Sequence, residues 1–171
     1  QPDFYVTLNG SYVIDRKEKV IYEERVPNPL VQDFIAWAKQ VGIHYGLVGS
    51  HQAALSTRTE EISRAIDPIY PKLPVDPDFA AKHPIYQMWT FETGKTVDVL
   101  TENLEQKLRL VRWHPISSDV VLDQQSKAHG VSKVVEKLGF KPENVLTFGD
   151  GLNDLELFDY AGLAIAMGNA Q

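Results

Sequence analysis

The spacing of apolar residues along the chain changes period several times, and each change predicts an element. Phe4-Tyr5-Val6-Thr7-Leu8 is a β-favouring run closed by Asn9-Gly10, and Ser11 to Ile14 and Val20 to Tyr22 flank the polar stretch Asp15 to Lys19. This pattern predicts a strand entering a hairpin. Asn28 then reads as a cap and Pro29 as the opening of a helix with Leu30, Phe34, Ala38 and Val41 on one face, ended by Gly42. Ile43 to Val48 is a predicted strand. Thr57 and Glu60 have capping-box spacing ahead of a helix through Ile66, which Asp67-Pro68 ends. The stretch 70–84 is rich in proline and aspartate and predicts a loop with room for a short helix around Phe79 to Lys82. A strand over Ile85 to Phe91, a helix around Glu102 to Leu108 and a strand over Arg109 to Trp113 follow, with His114-Pro115 as punctuation.

The last third has a different character. Val120-Val121-Leu122 predicts a strand, Val131, Val134, Val135 and Leu138 mark an amphipathic helix stopped by Gly139, and Val145 to Phe148 is an apolar run of the fully buried kind. A helix from Asp154 to Tyr160 and a strand from Leu163 to Met167 complete a β-α-β-α-β order with short connections. Such an order predicts a parallel, Rossmann-like half-sheet, and the fold class is α/β.

Charge and composition narrow the function. Lys and Arg number 17 against 23 Asp and Glu, for a net charge of −6, with no basic run, so a nucleic-acid partner is disfavoured. The chain has no cysteine, which removes disulfides, thiol nucleophiles and thiolate metal sites. Apolar stretches fall well short of the roughly 20 residues a membrane span needs, and the reading is a soluble, cytoplasmic protein without a membrane partner. The chain opens on Gln1 and stops at Gln171 directly after a predicted strand, from which a fragment of a longer protein is expected.

Ligands of open parallel sheets bind at the carboxyl ends of the strands, where Gly149-Asp150-Gly151-Leu152-Asn153-Asp154 falls. Two carboxylates and a carboxamide within five residues can hold or orient a hard cation such as Mg²⁺, which prefers oxygen ligands and keeps several waters. An Asx turn with Asn153 or Asp154 capping the next helix uses the same residues without chemistry. Upstream, Ser126-Lys127-Ala128-His129-Gly130 opens the preceding helix. A lysine at the positive end of a helix dipole makes sense if a phosphate sits there, and equally occurs as a solvated side chain.

Taken together, Ser126-Lys127-Ala128-x-Gly130, the strand ending in Gly-Asp-Gly-x-Asn-Asp, and Ala161-Gly162-x-Ala164-Ile165-Ala166-Met167-Gly168-Asn169-Ala170 resemble the C-terminal core of a haloacid dehalogenase superfamily phosphatase of the Cof type. Asn9-Gly10 followed by a hairpin resembles the point where that family leaves its core for an α/β cap. The resemblance implies a core strand and hinge over 1–10, an inserted α/β cap over 11–115, and the rest of a partial Rossmann-like core over 116–171. It implies that Lys127 neutralises a bound phosphate and the nucleophile, that Asp150 ligates Mg²⁺, that Asn153 contacts the phosphoryl group, and that Asp154 supports Lys127 and the metal. Asn9, at the hinge, joins the expected phosphate and substrate contacts. The implied activity is Mg²⁺-dependent hydrolysis of a small phosphorylated metabolite such as a sugar phosphate through an aspartyl-phosphate.

The sequence departs from the family in three places: the motif that supplies a Ser or Thr phosphate contact is missing, Leu122-Asp123-Gln124-Gln125 replaces an expected Pro/Gly-containing turn ahead of Lys127, and the third concerns the nucleophile. The Asp-x-Asp motif that supplies nucleophile and acid/base is absent, and Asp15, Asp76 with Asp78, and Asp98 are poor substitutes. The chain by itself is therefore expected to be inactive. A phosphomutase or phosphotransferase on the same scaffold, and a non-catalytic binder of a phosphorylated ligand, stay open as alternatives. Cap residues that could set specificity include Gly49-Ser50-His51, Tyr70, Tyr86, Trp89 and the Glu92 to Lys95 loop, each of which serves equally well as cap core or surface. Gly94-Lys95-Thr96 lacks the upstream glycine of a phosphate-binding loop and reads as a turn. The five histidines show no metal-ligand spacing.

Overall fold

The computed structural model describes residues 2–92, 100 and 102–170. In chain order its elements are β1 (Phe4–Thr7), β2 (Tyr12–Asp15), β3 (Val20–Glu23), α1 (Asn28–Val41), β4 (His44–Val48), β5 (Ala53–Leu55), α2 (Glu60–Ile66), α3 (Phe79–Lys82), β6 (Gln87–Phe91), α4 (Glu102–Glu105), β7 (Leu108–His114), β8 (Ser117–Leu122), α5 (Lys127–Leu138), β9 (Leu146–Gly149), α6 (Leu155–Tyr160) and β10 (Leu163–Ala166). They form two compact units, one made of Gln1–Glu24 with Gln124–Gln171 and the other of Arg25–Asp123. Among the described residues no helix is long and apolar enough to cross a membrane.

The inserted unit, Arg25–Asp123, is built on an antiparallel five-stranded sheet in the order β5-β4-β6-β8-β7. Its main core gathers Leu30, Val31, Phe34, Trp37 and Ala38 of α1 against Tyr45, Leu47, Met88, Leu108 and Val120 of the sheet, which is the apolar face the helix periodicity requires. The helix starts one residue earlier than expected. Pro27 takes the capping position and Asn28 is already helical, while Gly42 ends the helix in a left-handed turn at φ 72° that a side chain would disfavour. At α2 the cap is Thr59, whose hydroxyl accepts from the Ile62 amide at 3.2 Å. Thr57 does not fill that place, and Glu60 pairs with Arg64 one turn on.

Two expectations about the sheets change. The strand expected at Val120 to Leu122 is part of β8 and runs antiparallel between β6 and β7, with Met88 opposite Val120 and Arg109 opposite Val121. Val120 and Val121 are wholly buried, and a strand buried on both faces needs partners on both edges. An apolar run alone cannot say which sheet provides them. The boundary between units accordingly lies at Asp123 and Gln124, not after Pro115. Likewise the hairpin β2–β3 belongs with β1, and the first boundary lies at Glu24 instead of Gly10.

The other unit carries the hairpin sheet β1-β2-β3, antiparallel throughout, and a two-stranded parallel sheet of β9 and β10 joined through α6. β1, expected as a core strand, pairs with β2. Helix α5 packs on the hairpin sheet and on α6. Its N-cap is Ser126, whose hydroxyl accepts from the His129 amide at 3.1 Å, and Gly139 ends it at φ 69°. The run Val145 to Phe148 is not fully buried: Thr147 faces inward at 8% exposure while Leu146 and Phe148 are 53% and 58% exposed.

Candidate active site

The candidate site lies in the unit that contains α5 and the parallel strands, and it starts from a local necessity. The strand β9 must end without a side chain at Gly149, because a Cβ there would stand 2.7 Å from both Cβ and Oδ2 of Asp154. The Asp154 side chain occupies that space, turned back toward the strand end. Its Oδ2 accepts from the amides of Asp150 and Gly151, each at 3.1 Å. Its Oδ1 meets Lys127 Nζ at 2.5 Å. Asp154 is 7% exposed, and burial by itself would raise its carboxyl. The Lys127 hydrogen bond, the Gly151 amide, the Lys127 charge and the Asp150 amide outweigh burial and hold it below the ordinary carboxylate range.

The consequence is a division of labour between the two acids. Asp154 has both oxygens committed to protein donors, Lys127 on one side and the loop amides on the other. Asp150 is exposed, with Oδ2 accepting from Asn169 Nδ2 at 3.1 Å. Asn153 is half-buried on the same loop, with its Oδ1 packed close to Gly151. Lys127 stands in the first turn of α5, so its ammonium and the amide end of that helix give the site a positive side.

Lys127, Asp150, Asn153 and Asp154 are thus brought to one loop system. Asn9 lies on a different loop of the same unit. Leu8 and Asn9 both have left-handed backbone, at φ 51° and 50°, and the turn is held by Gln125 Nε2 and Ser11 Oγ donating to the Leu8 carbonyl at 2.6 and 2.9 Å. Asn169 was not among the expected site residues, and Gln125 entered only as part of Leu122-Asp123-Gln124-Gln125, the run that replaces an expected Pro/Gly-containing turn ahead of Lys127. Asn169 lies in the family-like Gly168-Asn169-Ala170 segment, whereas the hydrogen bond from Gln125 to Leu8 spans 117 residues and has no local signal. Of the specificity candidates in the inserted unit, Tyr86 and Trp89 are 2% exposed and serve its core. Glu92 is buried in a bond with Arg112, and Thr93, Gly94 and Lys95 lie outside the described residues.

A divalent cation fits this donor set in a restricted sense. Among the described residues no three His, Asp or Glu side chains cluster as a metal cage. Mg²⁺ does not need one, since it commonly takes one or two carboxylates and keeps its waters. Asp150 is the one acid of the pair with a carboxylate open to solvent.

A family model described as haloacid dehalogenase-like hydrolase matches residues 1–171. The chain belongs to the haloacid dehalogenase-like hydrolases. A Streptococcus pyogenes protein with the provisional name bifunctional phosphatase/peptidyl-prolyl cis-trans isomerase is 54% identical over 166 residues, covering 97% of this chain and 35% of that protein. A Bacillus subtilis protein provisionally named a phosphatase is 31% identical over 172 residues, covering 97% of this chain and 64% of its own length. The chain therefore spans 35% and 64% of these two curated relatives. Among solved structures, a Geobacillus kaustophilus protein is 30% identical with a TM-score of 0.79, covering 99% of this chain and 66% of that one. A sugar phosphatase of haloacid dehalogenase subclass IIB is 26% identical with a TM-score of 0.80, covering 99% and 65%. The architecture is the haloacid dehalogenase α/β core with an inserted α/β unit.

Proposed function

We propose that this haloacid dehalogenase-like hydrolase is a Mg²⁺-dependent phosphoric monoester hydrolase of the Cof type, acting in the cytoplasm on a small phosphorylated metabolite such as a sugar phosphate. The observation that carries the reading is the Lys127–Asp154 pair at the end of β9, 2.5 Å across, beside the exposed carboxylate of Asp150. The sugar phosphatase among its structural neighbours and the phosphatase names of its relatives support it.

In this reading Lys127 Nζ neutralises the phosphoryl oxygens, and Asp154 holds that ammonium in place without giving up its own charge. The Asn153 carboxamide donates to a phosphoryl oxygen, and Asn9 serves as a further contact. Asp150 would hold the metal, with Asn169 fixing the orientation of its carboxylate. Mg²⁺, when bound, supplies Lewis-acid polarisation of the phosphoryl group and charge neutralisation. The route proposed is through an aspartyl-phosphate whose attacking carboxylate comes from outside these 171 residues. Asp15 accepts the Lys17 and Lys19 amides in the β2–β3 turn, Asp76 is paired with Lys82, and Asp98 lies outside the described residues.

The test is phosphate release from a panel of phosphomonoesters by the intact protein, with and without Mg²⁺. Release should require Mg²⁺, and Lys127→Met and Asp150→Asn should each lower kcat about 100-fold or more. Metal-independent release, or full activity in either variant, overturns the reading. Tight binding of the same esters without turnover favours a non-catalytic phosphate binder.

A further inference from the structure

Tyr22 of β3 reaches two side chains in the same unit. Its hydroxyl donates to Glu24 Oε2 at 3.1 Å and lies 3.0 Å from His129 Nε2. The Tyr22 and His129 rings are 5.4 Å apart, and Lys133 Nζ stands 5.5 Å from the phenol ring centroid. A phenol has one hydrogen, and a carboxylate can only accept. When that hydrogen goes to Glu24, Oη is left to accept, and the His129 tautomer with its proton on Nε2 completes the contact. Burial, helped by Glu24, pushes the Tyr22 hydroxyl up to about 12, which keeps the hydrogen in place throughout the physiological range. The result is a directed relay from His129 through Tyr22 to Glu24.

The relay is placed at a mechanical junction. His129 stands in the first turn of α5, two residues past Lys127, where its amide is bound by Ser126 Oγ. Glu24 is the last residue of this unit before the chain leaves for the inserted one, and its amide donates to Ser11 O at 2.8 Å. Where the chain returns, Gln125 is buried and donates to Leu8 O. Departing and returning segments are thus both tied down beside the turn that carries Lys127.

We infer that Tyr22 and His129 are positioning residues for Lys127: the relay anchors the first turn of α5 to β3 and sets the approach of the Lys127 ammonium to Asp154. The catalytic part of this inference rests on the proposed role of Lys127 in phosphate binding. Neither residue touches the reacting group. Their effect runs through the helix turn, since a misplacement of about 1 Å is enough to cost up to 100-fold in rate.

The experiment uses the intact protein with three substitutions. Tyr22→Phe removes only the hydroxyl, His129→Leu removes the donor, and His129→Gln restores a donor of similar reach. Tyr22→Phe and His129→Leu should lower kcat about tenfold and shift the Lys127 ammonium resonance in ¹⁵N spectra, with His129→Gln returning both toward the starting values. In the unsubstituted protein the His129 Nε2 resonance should be that of a protonated ring nitrogen. A Lys127 resonance unmoved by Tyr22→Phe, a His129→Gln variant as impaired as His129→Leu, or an unprotonated Nε2 overturns the inference. The last readout needs no variant to fold. Absence of any phosphatase activity in the unsubstituted protein would overturn the proposed function alone, leaving the two resonance measurements to decide the positioning role.

Discussion

Gly10 and Gly130 meet backbone to backbone: a Cβ on Gly130 would stand 2.7 Å from Gly10 Cα and 2.8 Å from Gly10 O. The contact seats the turn after β1 directly on the first turns of α5. Gly10 is constrained further, by φ +92° and by Ser126 O only 1.9 Å from its would-be Cβ. Besides the Val6 methyl at 2.6 Å from the would-be Gly130 Cβ, the atoms met are backbone, so the backbone itself would have to move. Gly130→Ala should therefore destabilise by about 1–3 kcal/mol, and Gly10→Ala by more, because it adds left-handed strain to the overlap. Urea unfolding of the two variants checks both the size and the order.

The Asp154 carboxyl gives a pH-dependent contribution of known sign. Its folded value lies below the ordinary 3.8, so the contribution is complete above 3.8 and drains as pH falls through the folded value, where the native carboxylate finally takes up its proton. Asp154→Asn should cost about 2 kcal/mol at neutral pH, the scale of charge-assisted hydrogen bonds lost. The gap between variant and parent should close below 3.8. Chemical unfolding across that range measures it. A gap that stays constant on acidification would mean the stabilisation does not depend on the carboxylate charge.

Asn169 makes its contact with Asp150 at the surface, and removing it should leave the fold alone. Asn169→Ala frees the Asp150 carboxylate to rotate, so, on the proposed role of Asp150 in holding Mg²⁺, it should weaken apparent Mg²⁺ affinity about tenfold, as loss of an outer partner of a metal ligand does. The midpoint of thermal unfolding should not move. A Mg²⁺ titration of activity beside a melting curve separates the two outcomes.

How far this molecule could be read from its sequence follows from how local each signal is. Gly42 and Gly139 both end helices in left-handed turns, at φ 72° and 69°, and both were legible because a helix stop is written in a few adjacent residues. The strand at Val120 to Leu122 was legible as a strand and not as a partner of β6 and β7, since an apolar run does not name its neighbours. Phe148 shows the same limit: β-propensity marked it as core, and its side chain is 58% exposed. Lys127 and Asp154 are 27 residues apart and were linked only through the family motif. Tyr22 and His129 are 107 residues apart; Tyr22 carries no motif and His129 fills the variable position of one, so only the folded chain brings the pair into view.

In the inserted unit the buried acid Glu92 should dominate local stability. It is bound by Arg112 at 2.9 and 3.2 Å, and Thr90 Oγ1 donates to it at 3.0 Å. The same Thr90 accepts from the Ser118 amide and, through its carbonyl, from Ser117 Oγ, tying β6 to β8. Glu92→Ala takes the buried carboxylate away from the exposed Arg112 guanidinium, and the cost should be about 2 kcal/mol, discounted from the fully buried case because Arg112 is open to water. Glu92→Gln should cost less. Hydrogen exchange at the Thr90 and Ser118 amides reports whether the loss is felt at the β6–β8 junction.

The parallel pair β9–β10 presents Leu146, Phe148, Leu163 and Ile165 at 53%, 58%, 59% and 39% exposure. Leu146 is opposite Leu163 and Phe148 opposite Ile165 in the register, so the four side chains form one continuous apolar surface on a two-stranded sheet. Apolar patches of this kind favour association over solvation, and a short sheet with unpaired edges offers hydrogen-bonding groups to another strand as well. The 171-residue chain expressed alone should therefore associate as its concentration rises. Phe148→Thr with Ile165→Thr puts β-branched residues at both positions while removing one of the two facing apolar pairs, and it should shift light scattering toward the monomer mass. Unchanged association in that double variant would place the adhesive surface elsewhere, with exposed Leu138 and Phe140 the next residues to replace.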